Sequence, residues 1–550
     1  MIAVEPNVTL TSIATVGDVL GVKADGVTPY RFVGIPDGMG AFDNNDGTIT
    51  VLINHEIRST QGVLREHGAI GSFVSQLVID KTTLAVLGAQ DAIKSVQRWN
   101  DATDSFYTTT FAIGRLCSAY HCVDTMGTVD TSDHIAYGTQ DRSFMTGAEI
   151  GPEGKQFGVA VTGSDAGIAY ELAHISLFSW ENSLTSAFAQ KKTVKINTDD
   201  SGDGAPDGNV SEMTDVQLEA QSTALGITSF LRPEDAHFDL TNPNVFYFVT
   251  TASFTGQSRL CKLTFTDIAN PELGGTIESL LDSNQLSANG GGGPRMMDNI
   301  TVTDEGTIII QEDPGNQPHY ARVFVHDPAT DKLIELAKHD PALFTAGQAG
   351  FITADEEASG VTDTTALLGY TGGKAYLMVD QIHNGTGLDA ELLERGQLVL
   401  MTVADVHDGS AGDDVVNGDS TANTILGYAG NDTINGGTGN DTITGGAGAD
   451  TFAYAEIVDS RIGVKADHIL DFVAGVDQLD LGAINANNTL GGNLAADFSI
   501  VLDSNPVLTV GDFILCTGQS PSGQNKPPGS RLSAACSWRM GRKPLSERVQ

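Results

Sequence analysis

Short apolar runs, rich in β-branched and aromatic side chains and separated by Gly, Asn, Asp and Pro, fill the first 400 residues of this 550-residue chain. Examples begin at Thr48 (TITVLIN), Val245 (VFYFVTT), Thr307 (TIIIQ), Arg322 (RVFVH) and Ala375 (AYLMV). Runs of four to seven residues with turn signals between them predict strands. The two stretches that favour helix, 171–190 and 389–395, read as insertions between strands. About 400 residues exceeds a single sandwich and suits a β-propeller of about six blades, although no clean blade repeat is visible. The expected fold class is all-β.

From Gly409 the pattern changes to a nine-residue repeat. Gly recurs at 409, 418, 427, 436 and 445, followed five residues later by Asp414, Asn423, Asp432, Asp441 and Asp450, then by an inward apolar residue at Val416, Ile425, Ile434, Ile443 and Phe452. Gly permits the tight turns, the apolar residue fills a solenoid core, and stacked carboxylates offer oxygens to a hard cation at roughly 2.3–2.6 Å. This is the RTX-type nonapeptide, a parallel β-roll that binds Ca2+. Asp414, Asp432, Asp441 and Asp450 are the expected ligands. The first two units, with Ser410, Asp419 and Thr421 at usual Gly positions, read as weaker capping turns.

The expected organisation is a propeller over 1–400, the roll over 401–455, its cap and secretion region over 456–515, and an atypical tail over 516–550. The segment from Asp467 to Leu481 resembles the cap that follows RTX rolls, which links the chain to a type I secretion apparatus and an extracellular location. The N-terminus lacks the basic and apolar regions of a signal peptide, and no apolar stretch is long enough to span a membrane. The tail carries six Lys/Arg against one acid and two of the five Cys. It reads as a shifted frame or fusion scar, with an evolved basic arm as the rival.

Acidic residues outnumber basic ones 70 to 30, for a net charge of −40. Nucleic acid and anionic membranes are excluded as partners by repulsion, and cations are favoured. Carboxylates cluster at strand ends: Glu56, Glu234 and Asp235, Asp298, Glu312 and Asp313, Glu356 and Glu357. In a propeller such ends converge on one axial face, so dispersed acids can build one metal cluster. The alternative is a solvated acidic rim. A further loop, Asp199 to Gly204 with Asp207, has the oxygen spacing of an EF-hand-like site but Val210 where the bidentate Glu belongs.

The ordered segments Gly34-Ile-Pro-Asp-Gly-Met-Gly, Asn54-His-Glu56, Arg115-Leu-Cys117, Met145-Thr-Gly-Ala-Glu149, Arg232-Pro-Glu234, Asp298-Asn299 with Gln311-Glu-Asp, and Asp355-Glu-Glu-Ala-Ser-Gly resemble the motifs of PhoX-type alkaline phosphatases over roughly residues 30–385. That resemblance implies a propeller phosphomonoesterase acting on small phosphate esters with Fe3+ and Ca2+. Carried over, Cys117 is the iron thiolate, with Cys122 as competitor. Glu56, Glu149, Glu234, Asp298, Glu312, Glu356 and Glu357 are carboxylate ligands; Arg232 grips the phosphoryl oxygens, with Glu234 and Asn299 beside it. The chain departs from the family at Gly147-Ala148-Glu149, where Cys-Glu-Glu is usual, and lacks the twin-arginine signal. A phytase-like propeller hydrolase and a non-enzymatic calcium-binding matrix or adhesion protein are the competing expectations.

Overall fold

A computed structural model describes residues 1–122, 141–172, 224, 230–456, 459–483 and 499–514, apart from 6, 101, 104, 151–153, 286, 289–291, 371–372, 405, 410–411, 419, 457–458, 461–465 and 505. The EF-hand-like loop, the basic tail and most of the stretch 171–190 lie outside these residues. The chain forms two compact units, Met1–Val403 and Ala404–Gln550.

The first unit is built from antiparallel sheets arranged as propeller blades. Among the described residues there are five, where about six were expected. The second blade absorbs extra chain, because the hairpin Ser95–Asn100 and Ser105–Thr109 adds to its outer strand Ile168–Glu171 and widens it to six strands. The innermost strands are Pro36–Asp43, Leu116–Cys122, Pro233–Phe238, Met297–Val302 and Glu356–Asp363. Val8–Thr15 pairs with Arg395–Ala404 as the outermost strand of the fifth blade, and Ile2–Ala3 pairs with Lys332–Lys338 on the fourth. The N-terminal segment therefore closes two neighbouring blades. The expected helix at 389–395 is a turn instead: Asp389 Oδ1 accepts from the backbone N–H groups of Glu391 and Leu392, and Arg395 already begins a strand.

Core packing follows the two-residue alternation of each strand. Ile309, Ala358, Met378 and Met401 fill the space between the fourth and fifth blades, while Ile300, Ile308, Ile310 and Phe324 pack the fourth against the third. Burial of each such side chain contributes about 1.5–3 kcal/mol.

The second unit has two parallel sheets of two- and three-residue strands, and within the repeats each strand pairs with the one eighteen residues on: Val415 with Thr433, Thr424 with Thr442, Thr433 with Thr451. Two nonapeptides thus make one turn of a parallel β-roll. Val416, Ile425, Ile434, Ile443 and Phe452 point inward as expected and join Ile469, Phe472 and Leu479 in one core. Gly448 sits at φ 149° with its Cα against the Gly430 carbonyl, so a Cβ there would collide with backbone. The substitution Gly448→Ala is expected to lower the thermal midpoint of the roll, measured in saturating calcium, by a backbone strain of about 1–3 kcal/mol, while leaving the propeller transition in place.

Candidate functional site

The registers of the five blades define the site. Pro36 pairs with His55, Leu116 with Ala148, Pro233 with Thr250, Met297 with Glu312 and Glu356 with Ile382. One residue further along each inner strand stand Asp37, Cys117, Glu234, Asp298 and Glu357. One residue beyond each second strand stand Glu56, Glu149, Thr251, Asp313 and His383. Two rings of five positions at the same end of the blades are thus filled almost wholly by oxygen, sulfur or imidazole donors.

A recurrent backbone device holds the inner ring. Four of the five inner strands are preceded by a non-glycine residue at positive φ: Ile35 (54°), Arg115 (40°), Arg232 (53°) and Met296 (50°). Those four strands have a register shift straddling the ring residue, and the fifth has one at Ser359/Val361, with Gly360 at φ 55°. Bulges re-aim side chains, and strained backbone of this kind is retained where position matters. Staples cross the bulges: Asn299 Oδ1 accepts from Gly360 N at 2.9 Å, and Asp235 Oδ2 accepts from Ile300 N at 2.9 Å. Asn54 Nδ2 donates to the Cys117 carbonyl, tying the first blade to the second.

Electrostatically the rings hold more negative charge than burial tolerates. Burial, reinforced by Glu56, Glu357 and Asp235, pushes the Asp37 carboxyl well above its usual range. Asp298 is raised in the same way by burial, Glu234, Asp313, Glu357 and Asp37, and Asp313 by burial and Glu357. Carboxyls from different blades raising one another is the signature of a shared pocket. Ligand atoms of Asp37, Glu56 and Cys117 lie within 4.8 Å of one another, and Cys117 Sγ is 3.6 Å from Glu149 Oε2. Two guanidiniums enter from equivalent positions: Arg115 pairs with Glu56 and lies 2.6 Å from Glu149, and Arg232 lies 3.1 Å from Glu234. His383 Nδ1 is 2.5 Å from Glu394 Oε2 while Nε2 faces Glu357; burial opposes its charge, but these two carboxylates push its pKa up to about 11.

Of the residues expected from sequence, Glu56, Cys117, Glu149, Glu234, Asp298 and Glu357 fall on the rings, with Arg232 at the rim. Asn299 lies one step on and donates to Asp298 Oδ2 at 3.0 Å, which orients that carboxylate. Glu312 and Glu356 are one residue out of phase and face the blade interior. Glu312 is fully buried against Arg322 (2.7 Å) and His319 (3.1 Å), and Glu356 accepts from Ala321 N and lies 3.5 Å from His339. Cys122 ends its strand opposite Ser143, far along from the ring position. Asp37, Asp313, His383 and Arg115 were not assigned from sequence. The signal that finds them is the blade register: Asp37 and Asp313 complete the phase set by Cys117 and Glu149.

In the roll, each ladder aspartate bonds back to the preceding turn. The backbone N–H groups of Asp414, Asn423 and Asp432 donate to Oδ1 of Asp432, Asp441 and Asp450 at 2.8–3.1 Å. Oδ2 of Asp432 and of Asp450 is buried without a hydrogen-bond partner, which leaves it available to a cation. The same step continues beyond the repeats, from Asp441 N to Asp467 Oδ1 and from Asp450 N to Asp477 Oδ1 at 3.1 Å, although the spacing lengthens to 26 and 27 residues. Sequence periodicity misses these two for that reason.

Residues 404–503 match the Peptidase M10 serralysin C terminal family, so the second unit carries a serralysin-type calcium-binding repeat domain. Such domains are typical of proteins exported by type I secretion. No curated protein matches the chain in sequence. Among solved structures, Pseudomonas fluorescens PhoX in complex with vanadate is similar at 11% identity and a TM-score of 0.41, covering 72% of this chain and 95% of that chain. The AlgE6R3 subunit of an Azotobacter vinelandii mannuronan C5-epimerase is similar at 25% identity and a TM-score of 0.17, covering 24% and 93%. Pseudomonas aeruginosa periplasmic gluconolactonase PpgL is similar at 11% identity and a TM-score of 0.28, covering 72% and 97%. Among the described residues no helix is long and apolar enough to cross a membrane.

Proposed function

We propose that this chain is a secreted, metal-dependent phosphomonoesterase whose propeller carries the chemistry and whose roll serves export and extracellular stability. The observation that carries the reading is the meeting of acids from all five blades, with Cys117 from the second, on two rings at one end of the blades, flanked by two arginines. The donor set suits two kinds of ion. Cys117 with Asp37 and Glu56 offers one thiolate and two carboxylates, which fits ferric iron; Glu234, Asp298, Asp313 and Glu357 offer hard oxygens only, which fits calcium. When bound, such ions neutralise phosphoryl charge and polarise the ester.

The remaining work falls to the chain itself. Arg232, more than half exposed at the rim, and Arg115 present planar guanidiniums that pair bidentately with phosphoryl oxygens. Asn299 keeps Asp298 in one orientation. Glu394 keeps His383 protonated and fixes its ring plane, leaving Nε2 toward Glu357.

Hydrolysis of p-nitrophenyl phosphate in calcium, lost on strong chelation and restored by metal, is the expected result. Metal analysis of the purified protein should return iron in the wild type and little in Cys117→Ala. Arg232→Ala is expected to lower kcat/KM by about 10²-fold, the order of one lost charge-assisted transition-state contact. Full activity of the chelated enzyme, or of the doubly substituted Arg115→Ala/Arg232→Ala protein, would refute this mechanism, and no hydrolysis with calcium and iron supplied would leave the matrix-protein reading in its place.

A further inference from the structure

Beside the rings, on the side of the third and fourth blades, the loops build an aromatic shelf that the chemistry above does not use. Phe254 stands three residues past ring position Thr251, and Arg295 three residues before Asp298. His319 is anchored at 3.1 Å to Glu312, the neighbour of Asp313. Arg295 ties the loops together: its Nη1 donates to the Phe254 carbonyl at 3.2 Å and its guanidinium lies 5.5 Å from the Phe254 ring centroid. The Phe254 and His319 rings are 5.7 Å apart, His319 lies parallel to Tyr320 within 5° at 5.7 Å, and Lys338 Nζ stands 5.8 Å from the Tyr320 ring. All four residues from Phe254 to Tyr320 by way of Arg295 and His319 are partly exposed.

Three rings held in a row by a buried carboxylate and an arginine, and left partly open to solvent, are poorly explained as core. Every nucleobase has a π-face for such a surface, and the cations that edge it complement an anionic ligand in a chain that is otherwise strongly acidic. Three residues of chain span at most about 10 Å, within the reach of a nucleotide from its phosphorus to the far edge of its base.

We infer that the shelf of Phe254, His319 and Tyr320 binds the base of a nucleoside 5′-monophosphate whose phosphoryl group lies at the acidic rings, so that nucleotides are the preferred esters. This rests on the phosphatase reading for the reaction but not for the binding. The reaction itself is hydrolysis: water supplies the oxygen gained by phosphorus, the P–O bond to the 5′-carbon oxygen breaks, and the nucleoside leaves with the proton.

The test compares adenosine 5′-monophosphate with ribose 5-phosphate in calcium, using wild type, the double variant Phe254→Leu/Tyr320→Leu and the conservative Tyr320→Phe. Wild type should favour the nucleotide in kcat/KM by about tenfold or more, the order of one base stacked on an aromatic ring. The double variant should lose that preference through the nucleotide alone, and Tyr320→Phe should keep it. Calorimetric titration with adenosine, which has no phosphate, reads the shelf independently of turnover and of variant folding. Equal kcat/KM for the two esters together with no adenosine binding overturns the inference. Adenosine binding to a protein that hydrolyses neither ester would uphold the shelf and refute the phosphatase.

Discussion

Calcium withdrawal is expected to unfold the roll. In excess chelator, amide protons of residues 404–514 should exchange at the rate of unstructured chain, and far-UV circular dichroism should lose the corresponding β signal. The physical cause is the ladder. Asp414, Asp432, Asp450 and Asp477 stack one turn above another along one ladder and Asp441 and Asp467 along a second, with Oδ2 of Asp432 and Asp450 buried and unpartnered. Each ion at a hundredfold excess over its dissociation constant contributes about 2.7 kcal/mol, so several together match the ~5–15 kcal/mol stability of a typical domain.

The sign of the pH dependence without calcium follows from the same groups. Asp432 and Asp450 are raised by burial, and Asp467 is raised from 3.8 to about 7 by burial and by Asp441. An acid whose folded value lies above its unfolded one makes the folded state bind more protons. Its stabilisation is complete below pH of about 4 and is lost as the pH rises toward 7. The calcium-free roll should accordingly be more ordered at pH 4 than at pH 8, and added calcium should reverse that order. Equal disorder of the chelated roll at both values would refute the account.

Conversion of one inner-ring acid to its amide is the second large effect. On the function proposed above, Asp298→Asn and Glu357→Gln are each expected to lower kcat for p-nitrophenyl phosphate by about 10³-fold, since each removes a charge that faces carboxylates of other blades and that would hold an ion. Folding of Asp298→Asn should survive, because that carboxyl is raised by burial and by four carboxylates, and neutralising it relieves repulsion; Glu357→Gln instead weakens the pairing with His383 that holds Glu357 below its usual range against burial, and should melt somewhat lower. The out-of-phase neighbour gives the contrast. Arg322 holds the Glu312 carboxyl below its usual range against burial, so Glu312→Gln leaves a buried guanidinium short of its main partner. That costs about 3–5 kcal/mol of stability and touches the rings only indirectly. Thermal midpoints and kcat measured on the same three variants separate the two classes. A Glu312→Gln protein that melts as wild type but has lost activity would return Glu312 to the ligand set.

The roll was legible because its rule is written in identities: only Gly survives where a Cβ would strike the next turn, and only a short oxygen side chain fits the ladder. The blades follow a rule written in conformation. Ile35-Pro36-Asp37, Arg115-Leu116-Cys117, Arg232-Pro233-Glu234 and Met296-Met297-Asp298 share a positive φ and a bulge while sharing almost no residue. Sequence reading therefore found the acids but not their phase. In the pairs Glu312-Asp313 and Glu356-Glu357 a one-residue slip turns a side chain from the site to the interior, and only the register decides which member faces where. Cys117 was separable from Cys122 for the same reason, once Leu116 is paired with Ala148.

The strand Val8–Thr15 finds its partner only in Arg395–Ala404. Almost the whole first unit must be threaded before its earliest strand can dock, so loop closure over hundreds of residues comes last and slowly. Until that moment the fifth blade presents an unpaired edge, open to any extended segment that could pair with it.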